Sequence, residues 1–532
     1  MNGPNVYDAI VVGSGAAGGW AAKELAERGA KTLLLEAGRT LDAAADFPRE
    51  AAEPSSKIQL FTRARAVLGG QAVQARCMSF SERTRRLFVS DRENPYTTEG
   101  GRFNWYRGRQ VGGRLHLWGR NALRISDEDF HAADRDGFGP RWPLRHEDLA
   151  PWYERVERFV GVRGSAAGIA NLPDGAYVEP LPLTKVEERV LSDLARTWPG
   201  RPATTARIVR HHAGPVPLTV EAALHTGRLE LRADAVVSHL ETGEATGLAT
   251  GVTYFDRVTK QRHTVRGRYV VLCASTIETL RILMNSKSAR HPAGIGNSSG
   301  VLGHYLTDHV LVFRAGPYGP LESGAKSDPF DFGAQTGIYI PSFRNTGEAR
   351  ERGFLRGYSL LGSVGRIEPG WFFMAVGEML PRFENHVALD QHKRDAWGIP
   401  VARIACAHSD NERAMVRDMQ ESLDELARNC GLEGGHLKRE GLVSRAVYKF
   451  AAPLVYTPEG ALVPGSAVHE AGGAPMGEDP KTSVLNRHNQ CWDAPNVFVT
   501  DSAAFPTSPF QNPGLTIMAL SARAGNYIAD QL

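Results

Sequence analysis

A single histidine, His469, lies in a run of small residues near the end of the sequence, GSAVHEAGGAPMG at 465–477. Such a run builds little core, so its imidazole is available either to solvent or to a ligand. A neutral imidazole is a suitable general base near neutral pH. Asn512 directly precedes Pro513 and a helical pattern, Leu515–Ile528. Its amide can cap that helix, or it can hold the hydroxyl oxygen whose proton a base removes.

The N-terminal segment carries a second chemical pattern. GxGxxG lies between a predicted strand and a predicted helix and is formed by Gly13, Ser14, Gly15, Ala16, Ala17 and Gly18. Glu36 stands at the end of the next predicted strand, Thr32–Leu35. In this arrangement the glycines permit a tight turn, close approach of a pyrophosphate and close helix packing, while the acid accepts from ribose hydroxyls. The free N–H groups at the helix start attract phosphate. The order strand, turn, helix, strand and acid predicts a dinucleotide site.

Further elements must position these residues. The loop RGRQVGGR contains Gly112 and Gly113 among basic residues that suit phosphate. Arg232–Leu240 and Gln261–Leu272 predict strands of a β-meander that returns to the sheet. Asp501 follows the predicted strand Val497–Thr500, at a position where an α/β sheet presents polar residues to a cofactor.

The middle of the chain has a different pattern. From about 305 to 395, short apolar runs predict an antiparallel sheet: Val310–Phe313, Gly337–Pro341, Tyr358–Leu361 and Trp371–Val376. Asn411–Cys430 has an amphipathic helical pattern. Residues 40–100 show little periodicity and predict loops that cover the cofactor, and residues 163–180 predict a loop between domains.

The predicted fold class is α/β (α+β overall), with a Rossmann-like nucleotide-binding domain around a parallel sheet and a substrate-binding domain around an antiparallel sheet. We assign 1–45, 100–150, 205–310 and 460–532 to the nucleotide-binding domain. We assign 46–99, 151–204 and 311–459 to the substrate-binding domain and covering loops.

Composition excludes several classes of protein. The 532 residues include 62 basic and 59 acidic side chains, a net charge of +3, which argues against a nucleic-acid partner. No window resembles a membrane span or a signal peptide, so we expect no membrane insertion and a cytoplasmic location, with export together with a partner left open. The five cysteines lack CxxC spacing, and no metal site is expected, including at His211-His212.

Six segments in order resemble the glucose–methanol–choline (GMC) oxidoreductases: GSGAAG with Glu36, RQVGG, CASTIETLRILMNS, ENHVALD, HEAGGAPMG and NVFVTDSAAFPTSPFQNPGLT. Together they span about half of the chain. Within that family the sequence is most similar to bacterial sugar and glycoside oxidases and dehydrogenases, including glycoside 3-dehydrogenases and pyranose oxidases. The segments ERTRRLFVSDRENPYTTEGG and MGEDPKTSVLNRHNQCWDAPNVFVTD carry that similarity.

The resemblance implies FAD, with His469 as catalytic base and Asn512 as its partner. It adds Val236, Ala274 and Thr516 to the expected cofactor site, beside the GxGxxG residues, Glu36, Gly112, Gly113 and Asp501. Some pyranose oxidases attach FAD through a histidine, but the matching residue here is Leu117, and His116 is one residue early, so we expect non-covalent FAD. No cysteine precedes TGRLELR, so no iron–sulfur cluster is expected.

The activity that the resemblance implies is oxidation of a secondary ring hydroxyl of a sugar or glycoside to a ketone, with the 3-position favoured. Hydride would pass to flavin N5 while His469 takes the hydroxyl proton. The electron acceptor would be O2 or an external acceptor, and a small subunit or cytochrome partner is left open. The alternatives are oxidation of another alcohol, such as a sugar within a natural product, a GMC-fold lyase whose flavin is structural, and a non-catalytic flavin-binding module that would tolerate loss of His469 and Asn512.

Overall fold

The computed structural model describes residues 6–47, 56–212, 214–318, 335–347, 353–366, 370–432 and 452–532. The strands are β1 Val6–Val12, β2 Thr32–Leu35, β3 Thr97–Glu99, β4 Val162–Arg163, β5 Thr204–Thr205, β6 Ile208–Val209, β7 Leu229–Arg232, β8 Ala235–Thr242, β9 Ala249–Asp256, β10 Arg262–Leu272, β11 Val310–Pro317, β12 Ile338–Ile340, β13 Tyr358–Val364, β14 Gly370–Gly377, β15 His386–Arg394, β16 Pro400–Ala405 and β17 Val497–Val499. The principal helices are α1 Ala16–Glu27, α2 Ala43–Asp46, α3 Ser56–Leu68, α4 Asp127–Phe130, α5 Ala132–Asp136, α6 His146–Val160, α7 Lys185–Thr197, α8 Leu218–His225, α9 Thr276–Asn285, α10 Asp410–Asn429 and α11 Gly514–Ala529.

A seven-stranded sheet forms the nucleotide-binding part of the molecule. Its order is β7-β2-β1-β10-β9-β8, with β17 pairing to β10. The pairs within β7, β2, β1, β10 and β17 are parallel, whereas β8, β9 and β10 form an antiparallel meander. The central strands are buried Val, Ile and Leu runs, as expected for parallel strands covered on both faces. The predicted Rossmann-like sheet with its returning meander is confirmed.

A five-stranded sheet, β11-β14-β13-β12-β5, forms the second layer of the site. Every pair in it is antiparallel, and its strands include all four apolar runs that predicted this sheet. Helix α10 packs on it through buried Met415 and Met419, and the Ser409 and Glu412 capping box fixes the start of this helix. The antiparallel second sheet is therefore confirmed.

Two predictions need correction. Residues 40–100 are not only loops, because they contain α3 and also β3, which joins a third sheet, β15-β16-β3. Three apolar side chains of α3 are exposed, namely Phe61 at 65%, Val67 at 49% and Leu68 at 77%. The apolar residues of this helix therefore do not mark one buried face. The predicted strand Arg232–Leu240 is two strands, because Asp234 has φ +57° and turns the chain between them.

The described residues include no helix that is long and apolar enough to cross a membrane. They also include no group of His, Cys, Asp and Glu side chains that could hold a metal ion. All five cysteines are buried free thiols. The division into two discontinuous domains stays a prediction, although the strands of the seven-stranded sheet all lie in segments assigned to nucleotide binding.

Candidate active site

A cavity of about 410 Å³ is lined both by the seven-stranded sheet and by the five-stranded sheet. It gathers segments that are distant in sequence: the GxGxxG turn, the 105–121 loop, the start of α9, the 466–469 loop and the chain around Asn512. Most of the predicted site residues line it, namely Gly13, Ser14, Gly15, Ala16, Ala17, Glu36, Gly113, Val236, Ala274, His469, Asp501 and Asn512.

The glycines of the GxGxxG turn have three different environments. Gly13 has φ +99°, and a Cβ there would lie 2.4 Å from the Cys273 carbonyl oxygen. A Cβ on Gly18 would lie 1.6 Å from the Gly13 carbonyl oxygen, so this glycine allows α1 to pack on β1. A Cβ on Gly15 would meet only the Gly112 carbonyl oxygen, at 3.9 Å. Gly15 therefore faces open cavity, which leaves room for a pyrophosphate against its backbone.

The start of α1 is also suited to an anion. Gly15 is its N-cap residue, and no side chain caps the helix. The cavity further contains the buried guanidinium of Arg107, whose Nε and Nη2 have no hydrogen-bond partner in the structure. Burial, followed by the charge of Arg109, lowers the pKa of Arg107 to about 10, so it stays cationic at neutral pH. The Asp91 carboxylate lies 3.8 Å from Nη2, beyond hydrogen-bond distance. Uncapped N–H groups and a buried guanidinium with two unused donors fit a ligand that carries phosphates.

Glu36 is a buried carboxylate at the sheet edge. Its Oε2 accepts from the Ser14 hydroxyl at 2.6 Å and the Ser14 amide at 3.1 Å, and its Oε1 accepts from the Gly38 amide at 2.9 Å. The Ser14 hydroxyl in turn accepts from the Gly112 amide at 3.0 Å. Burial raises the pKa of Glu36. Ser14 thus joins the phosphate turn, the acid and the 105–121 loop.

Three predicted cofactor residues do not line the cavity. Gly18 acts through packing. A Cβ on Gly112, whose φ is +90°, would lie 2.4 Å from His116 Nε2, and the Gly112 amide donates to the Ser14 hydroxyl. The Thr516 hydroxyl lies 2.9 Å from the Tyr153 hydroxyl and is fully buried, so its side chain does not face the cofactor space. A sequence motif therefore locates the segment that approaches a ligand, but it does not determine which side chains of that segment face the ligand.

His116 points away from the main cavity. Its Nε2 lies 2.8 Å from the Val111 carbonyl oxygen, and its ring lines a separate cavity of about 260 Å³. Leu117 is the neighbour that lines the main cavity. His469 is the only histidine among the cavity-lining residues of the described chain.

His469 and Asn512 meet in the cavity. His469 Nε2 lies 3.3 Å from Asn512 Nδ2, and the buried Asn512 Oδ1 has no hydrogen-bond partner in the described structure. On the other side of the ring, His469 Nδ1 lies 2.9 Å from His309 Nδ1. His469 Nε2 and the Asn512 amide therefore face the same part of the cavity, where the ring nitrogen can accept from a hydroxyl group and the amide Nδ2–H can donate to the oxygen of that group.

The Asp308 carboxylate holds the glycine-rich loop in place. It accepts from three backbone amides of that loop, those of Gly465 at 2.7 Å, Ala467 at 3.2 Å and His469 at 3.0 Å. Burial, followed by the charge of Glu470, raises the pKa of Asp308 to about 7. These bonds explain how a segment with few side chains can fix one imidazole.

The surroundings of His469 favour its neutral form. Burial is the main cause that holds its pKa well below the usual value, and the His309 ring and the Arg114 cation act in the same direction. Arg114 is itself paired with Glu470 at 2.7 Å and donates to the Ser275 hydroxyl at 2.8 Å. A neutral imidazole at neutral pH can accept a proton.

Sequence reasoning missed four residues of this site: Asp308, His309, Arg114 and Glu470. The pair Asp308-His309 directly precedes the predicted strand Val310–Phe313, and two polar residues at a strand entry were the available signal. Arg114 and Glu470 each neighbour a predicted motif, but nothing local indicates that they pair.

The fold and the site define a dinucleotide-binding oxidoreductase of mixed α/β architecture. A model of the FAD binding domain matches residues 8–302, more than half of the chain, and a model described as GMC oxidoreductase matches residues 381–521. The chain belongs to the GMC oxidoreductase family, and its cofactor is FAD.

Named relatives act on several alcohols. The chain is 29% identical to 2-methyl-1,2-propanediol dehydrogenase of Mycolicibacterium austroafricanum, over 79% of this chain and 80% of that protein. It is 25% identical to paromamine 6'-oxidase of Streptomyces fradiae, over 99% and 92%. It is 27% identical to C-glycoside 3-oxidase of Arthrobacter globiformis, over 72% and 65%. Among solved structures, formate oxidase has a TM-score of 0.68 at 15% identity, covering 100% of this chain and 99% of that one, which supports the fold.

We expect FAD to co-purify with the protein and to be released by acid or heat denaturation. The reason is that Leu117 occupies the position that matches the FAD-attaching histidine of some pyranose oxidases, and Leu117 lines the main cavity. His116 lies at hydrogen-bond distance from the Val111 carbonyl oxygen and lines another cavity. Separation of supernatant and pellet after acid precipitation, followed by visible absorbance of each, measures this. Yellow colour that stays with the peptide would contradict the prediction and implicate His116.

Proposed function

We propose that this enzyme oxidises a secondary ring hydroxyl of a sugar or glycoside to a ketone, with the 3-position favoured. The observation that carries the proposal is the juxtaposition of His469 Nε2 and Asn512 in a cavity that is also lined by the phosphate turn. Bound FAD supplies the two-electron oxidation. The protein must then bind the alcohol, orient it and remove its proton.

The two polar side chains divide that task. An alcohol gives up hydride from carbon only as its hydroxyl proton leaves, so the reaction requires a base within hydrogen-bond reach. The neutral ring of His469 accepts this proton at Nε2. The Asn512 amide holds the same hydroxyl oxygen and fixes the orientation of its C–H bond.

One wall of the cavity indicates what kind of alcohol binds. Four apolar side chains of the five-stranded sheet line it, namely Leu311, Leu361, Met374 and Val376. These side chains cannot hydrogen-bond a hydroxyl group, and a buried unpaired hydroxyl costs about 1–3 kcal/mol. The wall therefore favours a glycoside with an apolar aglycone over a free sugar that is hydroxylated on every side.

The relatives support the sugar class but differ in position. The name C-glycoside 3-oxidase supports a glycoside substrate and the 3-position. The name paromamine 6'-oxidase supports the alternative of a different alcohol within a sugar-containing natural product. A lyase with structural flavin remains the alternative of another reaction class, and it would not reduce its FAD.

Anaerobic mixing of the yellow enzyme with a panel of free sugars, alkyl glycosides and aryl glycosides tests the proposal. We expect bleaching of the flavin by pyranosides, faster with aryl glycosides than with the free sugars, and a ring ketone in the NMR spectrum of the product. An aldehyde product would shift the assignment to a primary alcohol. Bleaching by simple diols alone, or by nothing while turnover continues, would contradict the proposal.

A further inference from the structure

His309 is a second buried histidine, and it lies behind His469 rather than in the cavity. Its exposed fraction is 2%, and it does not line the cavity. Its Nδ1 lies 2.9 Å from His469 Nδ1, and the two rings meet edge to face at a centroid distance of 4.8 Å. A reaction at the cavity cannot contact it, so any role in the chemistry must act through His469.

The other nitrogen of His309 has a partner that fixes its proton. His309 Nε2 lies 2.8 Å from the Pro509 carbonyl oxygen. A carbonyl oxygen only accepts, so Nε2 must carry the hydrogen. Burial lowers the pKa of His309 to about 4, so the ring is neutral near pH 7 and its Nδ1 bears a lone pair.

The position of the hydrogen on His309 also determines which nitrogen of His469 carries a hydrogen. Two ring nitrogens 2.9 Å apart share one hydrogen, and His309 Nδ1 can only accept it. His469 Nδ1 therefore carries the N–H, and its Nε2, the nitrogen beside Asn512, carries the lone pair. We infer that His309 is a positioning residue that, through the Pro509 carbonyl, holds His469 in the tautomer whose cavity-facing nitrogen accepts the substrate proton. This inference rests on the proposed role of His469 as the base.

The arrangement also accounts for what happens after proton transfer. When Nε2 takes the hydroxyl proton, the ring becomes an imidazolium with hydrogens on both nitrogens. The Nδ1–H bond to His309 is unchanged by this step, so the partner of Nδ1 does not have to reorganise. The ring orientation is thus retained for the return of the proton in the next half of the cycle. Where a partner that fixes the tautomer of a catalytic histidine is replaced in a serine protease, the rate falls by about 10⁴-fold with the geometry intact.

Two substitutions separate tautomer control from packing. His309→Leu fills a similar volume but offers no acceptor, so His469 Nδ1–H loses its partner and the other tautomer becomes competitive. His309→Asn can place an amide oxygen near the position of Nδ1 and accept the same hydrogen. We expect the anaerobic flavin reduction rate to fall by on the order of 10²-fold in His309→Leu and to recover by at least a factor of about 10 in His309→Asn.

The ¹⁵N spectrum of histidine-labelled holoenzyme gives a readout that packing alone would not change. The resonances of His469, assigned by their loss in His469→Gln, should show a protonated Nδ1 and an unprotonated Nε2 in the wild type and a mixture in His309→Leu. FAD content and the visible spectrum of each variant verify that it is folded. Equal slowing in both His309 variants with an unchanged tautomer would overturn the inference. A wild-type rate in His469→Gln would instead overturn the proposed base itself, and the two failures are distinguishable.

Discussion

His469→Ala should retain FAD but reduce it slowly, by on the order of 10²–10⁴-fold relative to the wild type. The cofactor should stay because its phosphate turn and Glu36 belong to the N-terminal part of the chain, whereas the reaction loses the group that takes the hydroxyl proton. Stopped-flow absorbance under anaerobic conditions measures the reductive step alone. His392→Ala is a matched control, because His392 is an exposed histidine on β15 outside the cavity.

The pH dependence of the same step has a defined sign. Protonated His469 cannot accept a proton, so the reduction rate should fall as the pH is lowered. Because burial holds the pKa of His469 well below its ordinary value, this fall should begin below the pH at which an exposed histidine titrates. The His469→Ala enzyme should lose that limb of the profile. A retained limb would assign the titration to another group.

Asn512→Ala should impair the reductive step as well. Since both side chains act on one hydroxyl oxygen, the double variant should lose less activity than the product of the two single losses. Strictly multiplicative losses would show that the two residues act independently.

Flavin reduction at a near wild-type rate in His469→Ala would contradict the role of His469 as the base and would leave it an ordinary loop residue.

Gly15→Val should give colourless protein of lower stability. The backbone of Gly15 has φ −73°, which valine can adopt, so the substitution introduces no backbone strain of the left-handed kind. Its side chain would instead enter the open space where the backbone meets the pyrophosphate. The ratio of flavin absorbance to protein absorbance after purification, and the thermal midpoint with and without added FAD, measure the result.

Gly101→Val is the control for this substitution. Gly101 is exposed, lies outside the cavity and has no atom within 4 Å of a built Cβ. This variant should remain yellow and as stable as the wild type. Full flavin occupancy in Gly15→Val would mean that the GxGxxG turn does not face the phosphates of the cofactor.

The sequence is sufficient to predict those parts of the fold and the site that depend on residues close together in the chain. The GxGxxG turn, β1, α1 and β2 lie within one short stretch, and Glu36 ends β2, so the spacing alone predicts a dinucleotide site. The alternation of apolar residues likewise predicts the strands of the five-stranded sheet. Helix α11 and β17 follow from apolar runs with clear ends.

Other features depend on contacts between distant segments. Asp308 bonds to the loop around His469, and His309 is placed against its ring, only because β11 and the C-terminal loop meet in the fold. No periodicity reports such a contact. Thr516 is another example. The sequence correctly predicts the start of the helix that contains it, but the Thr516 hydroxyl lies at hydrogen-bond distance from the Tyr153 hydroxyl and not in the cavity. Helix α3 was missed because its apolar residues do not all face a core.

The proposed reaction takes hydride from a ring carbon of a sugar while His469 takes the hydroxyl proton. Anaerobic reduction of the flavin by an aryl glucoside that carries deuterium at carbon 3, compared with the unlabelled compound, tests it most directly. We expect slower bleaching with the labelled substrate and a 3-ketone product that has lost the deuterium. Equal bleaching rates with the label retained at carbon 3 would place the oxidation at another carbon, and no bleaching by any sugar or glycoside would contradict the proposed function.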